Sequence, residues 1–356
     1  MINGIIKISV HLSDKRNLNY NLEMRSKKSI ETIEMHEGEY LESEFYNYVD
    51  MASSAVDWTF FCPYQLQKNS LTGVHKILEL PSMQIAYTDM CGGIMFDFVV
   101  PEDCLSFSVM KYISNKACLD QMKLKTDMIA VMDDKKIYNF MYNSRVNLFD
   151  ISLKKNSNPL LLEKLAQAVD KHYIDHHKKI AHLLQDIIDE FRSVKPLERQ
   201  VSKYIEKQIT EAMLQLISEQ EVSIPHFTKS EKIAITIKKQ LFLHMDGKMH
   251  IASLAKEHNI SEKSLQNSFR SLYDLKPIQF MRLLKLNLVH NDLMQSKPKE
   301  VTVLGVAQKW GFAHMGRFCK YYTELFGENP SVTLKTMSPL IERMSKECVE
   351  RKEEIV

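Results

Sequence analysis

The stretch IASLAKEHNISEKSLQNSFRSLYDLKP, residues 251–277, is the most informative part of this chain. Ile251, Leu254 and Ala255 supply a short apolar face. Asn259 follows, and asparagine tolerates the left-handed backbone of a sharp turn. Ser261 is a good N-cap for a second helix, whose Leu265, Phe269 and Leu272 share one face. The pattern is helix, tight turn, helix. It returns in VLGVAQKWGFAHMGRFCKYYTELFGENPS, residues 303–331. Ala255, Asn259 and Ile260 recur 52 positions later as Ala307, Gly311 and Phe312. Leu265, Phe269, Asp274 and Pro277 recur 53 positions later as Phe318, Tyr322, Gly327 and Pro330. A one-residue insertion near the second turn accounts for the change of offset. Such self-similarity marks a duplicated unit. A long helix from Pro277 to about Leu293 joins the copies, since proline suits a first helical turn.

The polar sides of the two second helices differ. In the first copy Lys263, Gln266, Asn267 and Arg270 stand at i, i+3, i+4 and i+7 and share the face opposite the apolar one. These side chains suit DNA: lysine and arginine donate to guanine, and glutamine and asparagine bond adenine. A solvated surface helix would also have a polar face, but it usually mixes both signs of charge, and this stripe holds no carboxylate. The second copy exposes His314, Met315, Gly316, Arg317, Lys320 and Glu324. Gly316 offers no donor and Met315 only apolar contact. The first helix is therefore expected to read most bases and the second to hold phosphate through Arg317 and Lys320. Charge agrees. Residues 228–338 carry 17 Lys/Arg against 9 Asp/Glu, a net of +8, whereas the remainder carries 30 against 36, a net of −6. A basic unit on an acidic carrier points to a polyanion-binding module.

Residues 228–338 resemble the DNA-binding domain of AraC/XylS-type bacterial transcription regulators. The resemblance rests on Ile251 to Ala255, on Ser261, Leu265 and Phe269, on Val306, Ala307, Gly311 and Phe312, and above all on Phe318, Tyr322, Phe326, Gly327, Pro330 and Ser331. It covers about a third of the chain. It implies two helix-turn-helix subdomains joined by a long helix, with their recognition helices in successive major grooves about 34 Å apart. Carried over position by position, the base-facing residues are Lys263, Gln266 and Asn267, then His314, Met315, Gly316 and Lys320. Asn259 and Asp274 stand where glycine is common, Lys285 replaces a frequent arginine, and Trp310 replaces a smaller residue. More weakly, residues 58–153 resemble the β-rich sensory half of members similar to ethanolamine-operon regulators, through Tyr64-Gln65-Leu66 and the strands that follow. In such members that half binds a small molecule and the next helices dimerise.

The rest of the 356-residue chain divides by texture. Residues 1–50 are a weakly patterned extension, within which Met24-Arg25-Ser26-Lys27-Lys28 offers an alternative start. Residues 51–157 form a β-rich barrel- or sandwich-like sensory domain. Its strands are expected at Val74–Leu80, Met83–Thr88, Ile94–Val100, Leu105–Met110, Met128–Met132, Ile137–Tyr142 and Val146–Leu153. Residues 158–224 are helical, a dimerisation and linker segment with stripes at Leu162, Leu165 and Val169, at Ile180, Leu184, Ile187 and Phe191, and from Leu197 to Leu216. A linker lies at Pro225, and a charged tail occupies 339–356. The fold class is thus α+β multidomain, with an all-α C-terminal domain.

Competing chemistry finds little support. P-loop, GxGxxG, HExxH and GxSxG patterns are absent. Cys62, Cys91, Cys104, Cys118, Cys319 and Cys348 form no CxxC pair, so free thiols are expected and no cofactor. A β-barrel metalloenzyme needs converging histidines, but between His36 and His172 only His75 occurs. The cluster His172, Asp175, His176, His177 and His182 places His172 and His176 at helical i, i+4 spacing. That geometry suits two metal ligands, although a polar break in a helix explains it equally. No apolar run reaches membrane-span length, and the start lacks a secretory h-region, which points to the cytoplasm. The resulting expectation is a non-enzymatic, sequence-specific DNA-binding regulator, an activator by resemblance. It would be a homodimer controlled by a small-molecule effector and would engage double-stranded DNA and RNA polymerase. The alternative is an effector-independent, nucleoid-associated DNA-binding protein whose N-terminal half makes only protein contacts.

Overall fold

The computed structural model describes residues 5–8, 34–68, 71–120, 122–155, 157–192, 196–219, 226–243, 251–296 and 301–335. The expected tail at 339–356, the linker at Pro225 and most of the first thirty-three residues lie outside these.

Two 17-residue strands organise the β-rich half: β5 (Met83–Val99) and β10 (Tyr138–Lys154). They pair antiparallel from Tyr138↔Phe98 to Leu153↔Met83. The sequence pattern suggests two short strands in place of each. Gly92 and Gly93 do not end β5, because both halves remain paired to β10; Gly92 instead takes φ +115° within the strand. The partners change there. The first half of β5 pairs with β4 (Thr72–Glu79), the second with β3 (Thr59–Gln65). Likewise β10 pairs with β6 (Cys104–Ile113) over one half and β7 (Ala117–Leu119) over the other. The full order is β1-β2-β4-β5-β10-β6-β9-β11. Here β1 is Ile5–Ile8, β2 Tyr40–Phe45, β9 Met128–Asp133 and β11 His172–Ile174, while β8 (Met122–Leu124) pairs with β7. Strand β2 comes from the stretch whose sequence suggests a weakly patterned extension, and the short α1 (Tyr48–Ser54) follows it.

Side-chain alternation gives this sheet two apolar faces. On β10, Phe149, Ile151 and Leu153 point to one side, and Val146 and Leu148 to the other. The first face is covered by α2 (Pro159–Ala166), α3 (Lys179–Glu190) and α4 (Arg199–Glu219), through Leu161, Leu165, Ile180, Leu184, Ile188, Ile205, Ile209, Met213 and Leu216. The stripes expected to form dimer surfaces are therefore spent on the chain's own sheet. Tyr204 falls off the stripe and is 63% exposed. The second face encloses an aromatic interior.

The histidine cluster is corrected by this arrangement. His172 lies in β11, paired with Ala130, and not on a helix. Asp175 accepts the backbone N–H groups of Lys179, Ile180 and Ala181 at the start of α3. His172 and His176 are thus not i, i+4 helical neighbours, and Asp175 serves as an N-terminal cap. No cluster of three or more His, Cys, Asp or Glu side chains suited to a metal occurs among the described residues.

The C-terminal half is helical: α5 (Lys229–Leu243), α6 (Ile251–Glu257), α7 (Glu262–Tyr273), α8 (Pro277–Gln295), α9 (Val303–Lys309), α10 (Met315–Phe326) and α11 (Pro330–Thr333). Helix α8 feeds two cores. Phe280 and Leu284 join α5, α6 and α7, whereas Leu286, Val289 and Leu293 join α9 and α10. The first of these cores also takes in Tyr64, Leu66, Met95, Cys118 and Met141 from the β-rich half, so the two halves share buried apolar surface.

Candidate nucleic-acid interface

The turns between paired helices behave as their sequence demands. Asn259 has φ +52° and Gly311 φ +81°. The C-caps Asp274 and Gly327 have φ +57° and +76°. The Ser261 side chain accepts the N–H of Ser264, and Thr302 caps α9 in the same way. Leu265, Phe269 and Leu272 are buried on α7; Phe318, Tyr322 and Leu325 are buried on α10.

With those faces inward, Lys263, Asn267 and Arg270 are exposed along α7 and Gln266 is half-buried beside them. On α10, His314, Gly316, Arg317 and Lys320 are exposed. Met315 is drawn partly inward against the Phe318 and Tyr322 core. A Cβ at Gly316 would meet nothing within 4 Å, so steric space does not require the glycine. Lys320 lies 3.9 Å from Glu324 one turn on. His314 makes no side-chain cap bond, and none of the described side chains accepts from the first-turn N–H groups of α10. Trp310 is explained by Asp292, which accepts from its Nε1 at 2.8 Å and from Lys309 Nζ at 2.7 Å.

The C-terminal end of α7 is held by the β-rich half. The Arg270 carbonyl accepts the Asp274 N–H within the helix, the carbonyls after it lie in the turn that helices leave without helical partners, and side chains from the other half supply donors to both kinds. Lys116 Nζ donates to the Arg270 carbonyl, Cys118 Sγ to that of Leu272 at 3.1 Å, and Asn143 Nδ2 to that of Tyr273 at 2.6 Å. Asn115 donates to Asp274 at 3.2 Å. Burial pushes the Cys118 thiol up to about 11, which suits a structural and unreactive role. Below α7, Glu231 accepts from Lys123, from Ser271 and from the Thr228 backbone N–H. Its partial burial alone would raise its pKa. The hydrogen bonds and the lysine charge prevail and bring it down to about 2.

A second clasp reaches α8. Asn287 is buried, accepts the Gln65 N–H at 2.8 Å and donates to the Gln65 carbonyl at 2.9 Å. The Gln65 side chain donates to the Leu325 carbonyl at the end of α10, also at 2.8 Å. One residue at the end of β3 thereby touches both the joining helix α8 and α10 of the second unit.

Inside the β-rich half lies a cavity of about 490 Å³, its open mouth included. Trp58, Phe60, Phe96, Phe98, Phe140 and several methionines line it, with His75, Thr88, Ser108 and Asp150 as its polar groups. His75 Nδ1 lies 2.7 Å from Ser54 Oγ, and burial lowers its pKa to about 3. Asp150 accepts from Ser108, and burial raises its pKa to about 7. Sequence motifs mark none of these four polar residues as a binding group. One signal is present: Val146, Leu148 and Asp150 alternate on one face of β10, so a carboxylate follows two inward apolar side chains. The clasp residues Gln65, Lys116, Asn143 and Asn287 give no such signal, since each is an ordinary surface residue until the two halves meet.

Against known proteins, residues 254–336 match the family model of a helix-turn-helix domain. The chain is 31% identical over 94 residues to the probable thc operon regulatory protein of Rhodococcus erythropolis, covering 26% of this chain and 28% of that protein. It is 25% identical over 165 residues to the XylDLEGF operon transcriptional activator of Pseudomonas putida, covering 46% and 51%. The chain thus spans about half or less of these relatives' lengths. Among solved structures, the AraC-like transcriptional activator CuxR is similar with a TM-score of 0.36 and 9% identity, covering 62% of this chain and 82% of that one. The C-terminal part of this chain is therefore an AraC-type helix-turn-helix domain, of the kind carried by AraC/XylS-family regulators.

Proposed function

We propose that this protein is a sequence-specific DNA-binding transcription regulator whose two helix-turn-helix units enter successive major grooves. The observation that carries the reading is the α7 surface: Lys263, Asn267 and Arg270 exposed with Gln266 beside them, opposite a fully buried Leu265–Phe269 face. Gln266 and Asn267 read adenine edges, and Lys263 and Arg270 read guanine or hold phosphate. In the second unit, Arg317, Lys320 and the first-turn N–H groups of α10 hold phosphate, an arrangement that helix N-termini favour. His314, Met315 and Gly316 contribute less to base choice.

The sign of control follows the Pseudomonas putida relative, which is named a transcriptional activator; contact with RNA polymerase belongs to that sign. The effector is a small molecule held in the cavity of the β-rich half. A concave site lined by apolar side chains with a few polar groups is the usual form of a small-molecule site. Coupling runs through the clasps on α7 and α8, because a ligand that favours one arrangement of the barrel changes how both helical units are held. A second copy of the chain would pair through the exposed side of α4, where Tyr204 lies.

Selection of genomic fragments by the purified full-length chain at physiological salt tests the reading. Discrete sites with paired half-sites are expected. Binding should fall steeply with salt, because each phosphate-bound lysine or arginine releases counterions. Recovery of fragments without a common motif, or a flat salt response, would overturn it.

A further inference from the structure

The cavity walls carry one carboxylate and no lysine or arginine. Asp150 sits on β10 with Ser108 opposite it on β6, in register. Its Oδ1 accepts from Ser108 Oγ, and its Oδ2 has no hydrogen-bond partner among the described residues. The side chain keeps some accessible surface although it belongs to the interior of the β-rich half, and the cavity that it lines accounts for that surface. The other titratable group on the walls, His75, is engaged by Ser54 at Nδ1 and packs 4.8 Å from the Phe45 ring, and its burial keeps it neutral. It therefore supplies no counter-charge.

A buried carboxyl with one neutral partner is costly when ionised, and a cation relieves that cost. The remaining walls favour the same charge. Trp58, Phe60, Phe96, Phe98 and Phe140 form an aromatic group whose ring contacts run from 5.5 to 6.2 Å. Aromatic faces attract ammonium groups and accept apolar bodies. An anionic ligand would meet a carboxylate and no cation. A neutral apolar ligand would leave Asp150 Oδ2 unpaired.

We propose that the cavity binds an organic amine, a molecule with an apolar or aromatic body and one basic nitrogen that pairs, as ammonium, with Asp150. The assignment rests on the effector role given above to the β-rich half. It specifies the ligand class that this half takes. Ser108 orients the carboxylate, Thr88 lies within the same walls, and the aromatic group encloses the body of the ligand.

Titration calorimetry on the full-length chain at pH 7.5 tests this with three matched skeletons: 2-phenylethylamine, tryptamine and hexylamine, each with the alcohol and the carboxylic acid of the same carbon frame. At least one amine is expected to bind, with its alcohol at least tenfold weaker and its acid weaker still. D150N should bring that amine down to the affinity of the alcohol. The tryptophan fluorescence of Trp58, read in a W310F background, should respond to the same amine. The proposal is overturned if an acid or alcohol binds as well as its amine, if D150N binds the amine unchanged, or if no amine binds. Loss of discrete DNA sites with amine binding intact would instead remove the regulator reading and leave the ligand class standing.

Discussion

In the first helical unit, α7 buries Leu265, Phe269 and Leu272 and turns lysine, glutamine, asparagine and arginine outward; in the second, α10 buries Phe318, Tyr322 and Leu325 and turns out a glycine, an arginine and a lysine beside a glutamate. Both helices have twelve residues and end in left-handed caps. They differ at their ends. The last carbonyls of α7 receive Lys116, Cys118 and Asn143 from the β-rich half, while α10 receives a single donor, Gln65, at Leu325. The duplication preserves what packing requires, because an apolar face and a left-handed turn are conditions for the unit to fold. The outward side chains and the tethered end are under no such condition. In this chain the unit whose outer face carries more amide and basic side chains is also the one more firmly joined to the cavity-bearing half.

Emptying each core in turn puts that asymmetry under the greatest load. Phe269 and Phe318 are both fully buried. F269A and F318A should each cost about 3–5 kcal/mol, measured by urea unfolding. F269A should also loosen the β-rich half, because its core includes Tyr64 and Met95. F318A should leave β7 untouched, as read by hydrogen exchange, because the described bonds from the second unit reach β3 through Gln65 and not β7. Equal effects on β7 from both variants would show that the two units are held alike.

A pH series on the ligand-free chain isolates the cavity. Asp150 has a folded pKa raised by burial to about 7. Its contribution is therefore fully present below the unfolded value near 4 and is lost as pH rises toward about 7, on the order of 4 kcal/mol. His75, lowered by burial to about 3, has the opposite effect: its contribution is present above the unfolded value near 6.5 and is lost as pH falls toward 3. D150N should flatten the first arm alone, and H75N the second, in thermal melts between pH 4 and pH 8.

The clasp comes next in size. N287A removes two hydrogen bonds to the half-buried Gln65 backbone, a loss of about 2 kcal/mol. Proteolysis between the halves should speed up, while the sites selected from genomic fragments stay the same. A changed site preference would mean that the clasp sets readout as well as attachment.

Substitutions on the outer faces of the two helices are milder still. Q266A and N267A should each cost about 1–3 kcal/mol of discrimination at one base pair. R317A and K320A should weaken all sequences alike and lower the salt slope by about 1 each. Binding measured on point-substituted sites at several salt concentrations separates the outcomes. A larger change of preference from R317A than from Q266A would reverse the roles of the two helices.

Much of the helical half is legible in the order of residues. Helix α8 is expected from Pro277 to about Leu293 and runs to Gln295. Asn259, Ser261, Asp274 and Gly311 take the conformations that their chemistry suggests, because turns and caps depend on a few neighbouring atoms. Met315 departs from its expected outward position, since a helix N-terminus lets the side chain swing onto its neighbour's core. The β-rich half is legible only in outline. The breaks expected between Thr88 and Ile94 and between Tyr142 and Val146 do not occur, because pairing across sixteen registered positions holds each strand continuous. Helical spacing suggests a helix at His172, and pairing with Ala130 places it in a strand.

The duplicated helix-turn-helix pattern, the basic charge of that half and the residues on the outer face of α7 are all written in the chain itself. They follow from short-range periodicity and side-chain chemistry, which need no knowledge of distant partners. Other features arise only when distant segments meet. The stripes of α3 and α4 cover the sheet, Gln65 meets Asn287 across 222 positions of chain, and Asp150 faces a cavity. Each depends on which strands become neighbours, and strand neighbours in this sheet are set by long-range pairing that no local pattern encodes.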